Sequence, residues 1–208
     1  MKAKKHTIEL HQGDLPKGLD FGTSIAVDTE TLGLNPARDR LCLLQLTSGD
    51  RICHLVRFTG ASYDAPNLKA VLADDRVTKL FHYARFDLAV IERYLGIACK
   101  PIYCTKVASR LTRTYTDRHG LRDLCRELLG VELDKNQQSS DWGAENLSAA
   151  QKKYAAADVI HLHALRDKLD HMLARESRTE LADACFRFLP TRARLDAGGW
   201  SDPDVFSH

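Results

Sequence analysis

The sequence predicts a mixed α/β fold, a central sheet of about four to six strands with helices packed around it. Two observations carry this reading. The first half of the chain holds short runs rich in Ile, Val, Leu and Thr, separated by Gly, Asn, Pro or Asp, which is the composition of strands and turns. The second half carries apolar residues at a 3.6-residue rhythm, which is the signature of amphipathic helices.

Taken in order, residues 24–29 (SIAVDT), 40–48 (RLCLLQLTS), 51–56 (RICHLV) and 77–83 (VTKLFHY) read as strands. Residues 65–74 read as a helix, with Asn67 or a neighbour as its cap. Residues 85–96 place Phe86, Ala89, Val90 and Tyr94 at helical spacing and stop at Gly96. Helices are expected over 104–113, 120–130, 148–176 and 178–189. From Pro190 to His208 the chain turns to Pro, Gly and Asp and reads as an irregular tail carrying Trp200 and Phe206.

Size and composition set the frame. The 208 residues suit a single domain over 1–208, with a core over 20–175 and a C-terminal segment, 176–208, lying on that core or on a neighbouring subunit. Hydrophobic residues make up 44% and charged residues 28%, a globular composition. A net charge of +2 argues against coating long nucleic acid by bulk charge and leaves room for local basic patches. No apolar run approaches the roughly 18 residues of a membrane helix, so no membrane partner is expected. The basic N-terminus has no apolar stretch behind it and does not read as a signal peptide. Six cysteines without a C-x-x-C pair read as reduced, packed thiols of a cytoplasmic protein and do not suggest a zinc site.

The chemistry is carried by acids. Asp28 and Glu30 end an apolar strand with one residue between them, so both carboxylates project from the same face. Two anions there repel and are costly to desolvate, and a divalent cation resolves that cost. Oxygen donors of this kind suit Mg²⁺ or Mn²⁺. Asp87 lies at a helix start, where the dipole alone favours an acid. Tyr154 and Asp158 are four apart and share a helix face, with alanines between them that allow close approach. Each of these also fits an ordinary structural role. In order along one chain, they form a set of four acids and a tyrosine.

That ordered set resembles the tyrosine branch of the DEDD superfamily of 3′–5′ exonucleases. The segment GLRDLCRELLGVELDKNQQSSDW, followed by LSAAQKKYAAADVIHLHAL, looks like the ribonuclease D group, with a D-K-x-x-Q-x-S-D-W stretch before the last motif. DTETLGLNPARDRLCLLQL, CTKVASRLTRTYTDRHGL and CFRFLPTRARLDAGGW are similar to the small ribonuclease D-like enzymes called nano-RNase C. The resemblance implies a ribonuclease H-like DEDD exonuclease fold and a 3′–5′ exoribonuclease acting on very short RNA, notably diribonucleotides. It implies two divalent cations, with Asp28 bridging both, Glu30 and Asp158 completing one site, Asp87 supporting the other, and Tyr154 orienting or deprotonating the attacking water. It also implies a ring-like homo-oligomer, an octamer.

Substrate contacts are expected at Thr31 and at Leu32, which the resemblance sets as a wedge between terminal bases; turn packing is the competing role. His82 and Phe86, flanking Asp87, fit either substrate contact or core. The basic segment with Arg110, Arg113, Arg118, His119 and Arg122 fits either phosphate binding or a solvated surface. Arg113, Arg118 and His119 are the candidates for capping a 5′-phosphate, from either the same subunit or an adjacent one. His161 and His163 read as helix surface or packing. A general exonuclease on longer strands and a catalytically silent binding module remain the competing readings.

Overall fold

The computed structural model describes residues 6–134, 140–202 and 204–207. Six strands build one sheet: β1 (Thr7–Gln12), β2 (Ser24–Thr31), β3 (Leu41–Thr47), β4 (Ile52–Arg57), β5 (Thr78–Phe81) and β6 (Ile102–Cys104). Their order is β1-β4-β3-β2-β5-β6. β2, β3 and β4 run antiparallel to their sequence neighbours, whereas the β1–β4, β2–β5 and β5–β6 pairs are parallel. The sheet is therefore mixed, as the sequence implies. β3 is buried at every position, which is why its sequence, LCLLQLT, runs apolar on both faces instead of alternating.

Two strands escape the sequence reading. β1 is an edge strand with an exposed, half-polar pattern, and β6 has only three residues, too few to establish a period.

The helices are α1 (Pro66–Ala73), α2 (Ala84–Leu95), α3 (Thr105–Thr112), α4 (Leu121–Leu124, running on through a wider turn to Leu129), α5 (Ala149–Ile160), α6 (Leu162–Arg175) and α7 (Thr179–Ala197). Three differ from expectation. Asn67 does not cap α1; the Asp14 carboxylate does so from a distant loop, accepting from the Asn67 and Leu68 amides at 3.0 and 2.9 Å. The helical run over 148–176 breaks at His161 into α5 and α6. α7 passes through Pro190 and continues to Ala197. Pro190 removes one amide donor, but ion pairs anchor the turns beyond it: Arg85 binds Asp196 on α7, and Arg194 of α7 binds Glu92 on α2.

This scaffold brings three elements to one place. β2 is central in the sheet. α5 lies across β2, β3 and β4, and the buried small residues Ala155 and Ala156 let it come close. α2 starts directly after β5, through Tyr83 in the left-handed region (φ 71°, ψ 44°). That conformation is unfavourable for a residue with a side chain and tends to mark functional turns.

Candidate active site

Asp28 and Glu30 leave the same face of β2, and Asp158 reaches them from the last turn of α5. One carboxylate oxygen from each of the three lies within 4.8 Å of the other two. Asp87, in the first turn of α2 and buried, is held against β2 by Thr29. The Thr29 amide donates to Asp87 Oδ1 at 3.1 Å, and the Thr29 hydroxyl donates to the same oxygen at 2.6 Å. Gln45 lies opposite Asp28 on β3 and donates from Nε2 to Asp28 Oδ2 at 2.6 Å. The order of strands explains this fixation, since Asp28 is steadied by its cross-strand neighbour and Asp87 by the strand it faces.

The electrostatics are those of crowded anions. Burial pushes Asp28 well above its ordinary value, and the neighbouring Asp87, Asp158 and Glu30 push it further. Burial also raises Glu30, with Asp158 and Asp87 adding to it. Asp87 and Asp158 are pushed up to about 7, chiefly by burial. Among the described residues, no Lys or Arg forms an ion pair with any of the four. Four hard oxygen donors converging without a resident cation fit a divalent metal such as Mg²⁺ or Mn²⁺, whose binding would relieve the repulsion. The Tyr154 hydroxyl is directed at the Asp158 carboxylate. Burial and the nearby acids raise Tyr154 above its ordinary value, so it keeps its proton at neutral pH.

Asp28, Glu30, Tyr154 and Asp158 open into a cleft of about 720 Å³, lined in addition by Thr31, Leu32, His82 and Phe86. Leu32 is 53% exposed, an unusual setting for a leucine and one that leaves it free to meet a ligand. It sits over Gly143, where an added Cβ would come within 2.7 Å of Leu32 Cδ2. His82 is fixed through Nδ1 to the Thr105 hydroxyl at 2.9 Å, and burial lowers its pKa to about 3. It therefore stands neutral in the cleft wall.

The three residues expected to cap a 5′-phosphate are not brought to the cleft of their own chain. Arg113 is fully buried, pairing with Glu127 and donating to the Arg118 carbonyl at 2.7 Å. His119 is buried against the Ser109 hydroxyl at 2.8 Å. Arg118 is exposed elsewhere on the loop. Among the described residues, the cations that line the cleft are Lys106, whose Nζ lies 4.1 Å from the centre of the Tyr83 ring, and Arg122. His161 and His163 lie at the α5–α6 junction, away from the cleft. Lys135 and Gln138 of the D-K-x-x-Q stretch fall outside the described residues.

Sequence reasoning missed Thr29, Gln45 and Lys106, and it held Trp142 only as part of the D-K-x-x-Q-x-S-D-W stretch; Arg122 it placed in the basic segment without assigning it to the cleft. Trp142 lines the cleft beside Tyr154, with ring centres 6.1 Å apart. Only Gln45 left a signal, as the one polar residue in the middle of an otherwise apolar strand. Thr29 is an ordinary strand residue of β2, and Lys106 and Trp142 sit in a helix start and a loop of ordinary composition.

With this geometry in place, comparison with known proteins is decisive. Residues 11–174 match the family described as a 3′–5′ exonuclease. The chain belongs to that exonuclease family. Among curated members it is 35% identical over 156 residues to ribonuclease D of Gluconacetobacter diazotrophicus, covering 75% of this chain and 39% of that one. It thus spans about two fifths of the ribonuclease D proteins it matches. Among solved exonuclease structures, Brucella melitensis NrnC bound to pGG is 51% identical, with a TM-score of 0.94 over 98% of this chain and 100% of that one. The same Brucella protein with bound Mg²⁺ is 50% identical, with a TM-score of 0.93 over 97% and 99%. Escherichia coli RNase D is 29% identical, with a TM-score of 0.72 over 83% of this chain and 45% of that one.

Proposed function

We propose that the chain is a metal-dependent 3′–5′ exoribonuclease that degrades short oligoribonucleotides, above all 5′-phosphorylated diribonucleotides, to nucleoside 5′-monophosphates. The observation that carries this reading is the convergence of Asp28, Glu30 and Asp158 in one cleft beside an exposed Leu32, with the buried Asp87 bonded to Thr29 between the first two. The likeness over nearly full length to a protein solved with pGG supports the short substrate.

Two Mg²⁺ or Mn²⁺ ions bound there would supply Lewis-acid activation of water and neutralise charge at the reacting phosphate. The protein's own groups do the rest. Asp28, Glu30, Asp87 and Asp158 would hold the ions. Thr29 and Gln45 hold Asp87 and Asp28 in position. Tyr154, protonated and facing Asp158, orients the attacking water, and the 3′ oxygen leaves with a proton from solvent. Leu32 packs against the terminal bases. Thr31, Phe86 and neutral His82 line the sugar and base path. Lys106 and Arg122 take the 5′-phosphate role first assigned to Arg113, Arg118 and His119.

The reading extends to assembly and setting. The chain acts as one catalytic unit within a homo-oligomer, an octamer by resemblance. The apolar side chains of Leu181, Phe188, Trp200, Val205 and Phe206 stand exposed toward the C-terminus and are suited to a subunit contact. The free thiols of Cys42, Cys53, Cys99, Cys104 and Cys125, all buried, accord with a reducing cytoplasm.

The test is turnover of 5′-labelled RNAs from two to ten nucleotides at matched concentration with Mg²⁺ and with Mn²⁺. The dimer should be cleaved faster than the heptamer, and removing its 5′-phosphate should weaken binding. Equal rates with no pause at the dimer would make this a general exonuclease on longer strands, and no metal-dependent release of monophosphate would make it a silent binding module. Sedimentation as a strict monomer at micromolar concentration would contradict the assembly.

A further inference from the structure

A second group of metal-ligating side chains lies on the edge strand, made without any cysteine. Glu9 and His11 are two apart on β1 and so share a face. His54 is the register partner of Glu9 on the parallel neighbour β4. Cross-strand partners also share a face, so the sheet itself brings three donors together. His11 Nε2 and His54 Nδ1 are 3.0 Å apart. Glu9 Oε2 lies 3.4 Å from His54 Nδ1 and 3.9 Å from His11 Nε2.

Those separations match a coordination triangle. A circle through the three atoms has a radius of about 2.0 Å, the length of a Zn–N or Zn–O bond. A cation at bonding distance from all three sits close to their plane, with further positions left for water. The rings are held in place: His54 is 6% exposed and meets the edge of Phe21 with ring centres 5.5 Å apart, and the two imidazoles stack with centres 5.3 Å apart. The Glu9 side chain is 43% exposed and gives an open approach from solvent.

We propose that Glu9, His11 and His54 form a second cation site that takes a borderline divalent ion, Zn²⁺ foremost, and clamps the edge strand β1 to β4. Two imidazoles and one carboxylate favour Zn²⁺, Co²⁺ or Ni²⁺ over the hard ions suited to the all-oxygen cleft. The two sites therefore sort cations by donor chemistry. The edge site does not touch the cleft, and hydrolysis does not depend on it.

The test uses the full chain carrying Asp28→Asn and Asp158→Asn, which disables the cleft as a competing site. The protein is stripped with chelator and titrated with Zn²⁺ alone by calorimetry, and its melting is followed with and without the ion. One Zn²⁺ should bind per chain at micromolar affinity or tighter. At about 100-fold excess over Kd it should raise Tm by roughly 5–10 °C. His11→Ala in that background should weaken binding by at least roughly 10–100-fold and abolish the Tm shift. Glu9→Gln should weaken binding less. These two residues carry the test because His54 is nearly buried and its loss can impair folding. X-ray absorption at the Zn edge should report two imidazole ligands. Unchanged affinity in His11→Ala, a spectrum without imidazole, or no binding below the millimolar range would overturn the site and leave the three residues as a hydrogen-bonded cluster.

Discussion

Two charged regions of this molecule look alike in the sequence and behave in opposite ways in the fold. Asp28, Glu30, Asp87 and Asp158 are spread over 130 residues; the fold gathers Asp28, Glu30 and Asp158, holds Asp87 through Thr29, and among the described residues pairs none of the four with a Lys or Arg. Arg110 to Arg122 form one compact basic segment, and the chain disperses it: Arg113 is buried against Glu127, His119 is bound to Ser109, and Arg118 faces outward. Charges neutralised within the fold hold it together. Charges left crowded with their own kind await a ligand.

The largest effect should come from the crowded acids. Asp28→Ala or Asp158→Ala should lower turnover by at least about 10³-fold, because each removes a metal ligand. The metal-free variants should melt no lower than the parent at pH 8, since one repelling carboxylate is gone. Turnover within tenfold of the parent would break the contrast at its acidic end.

Tyr154→Phe keeps the ring and removes the hydroxyl. The rate should fall by roughly 10²–10⁴ with binding little changed. A rate within twofold would reduce Tyr154 to packing against Trp142.

Thr29→Val and Gln45→Leu leave all four acids in place and remove the side-chain donors that steady them. Each should cost about 10–100-fold in turnover or in Mg²⁺ affinity. Kinetics indistinguishable from the parent would mean that the carboxylates are positioned by packing alone.

The basic segment gives the smallest effect on chemistry and the clearest separation. Arg113→Ala should lower stability by about 2–3 kcal/mol, between the values for exposed and buried pairs because Glu127 is partly solvated. It should leave KM nearly unchanged in protein that remains folded. Arg122→Ala should leave Tm unchanged and raise KM several-fold for a 5′-phosphorylated dimer only. The reverse pattern, read from melts and initial rates, would return the phosphate role to Arg113.

The contrast also explains what was legible in the sequence. The four acids and the tyrosine were readable because their spacings are fixed by strand and helix periods, and metal chemistry tolerates few substitutes. Leu32 was readable only by resemblance. The arginines misled because a basic run looks the same whether its partners are solvent, substrate or a glutamate 14 positions on. Lys106 and Arg122 reach the cleft only once α3 and α4 are folded around it. The cap of α1 was missed for the same reason, since Asp14 lies 53 residues before Asn67. The end of α7 was misread because proline composition gave no hint of the ion pairs with Arg85 and Glu92 that hold the helix beyond it.

The central claim is that burial and crowding raise the four acids, so that a cation binding near neutral pH displaces protons, and one measurement addresses it directly. Folded, metal-free Asp87 and Asp158 are raised to about 7, and Asp28 and Glu30 are raised well above their ordinary values. Groups raised in this way stabilise the metal-free fold below their unfolded values, near 4, and that contribution is lost as pH climbs through 7. Divalent ions bind the ionised forms, so binding must expel protons. Mg²⁺ titration by calorimetry at pH 7, in buffers of differing ionisation enthalpy, counts them. The account predicts release of at least one proton per chain and affinity that tightens from pH 6 to pH 8. Binding without proton release and with equal affinity across that range would show carboxylates already ionised and independent, and would contradict it.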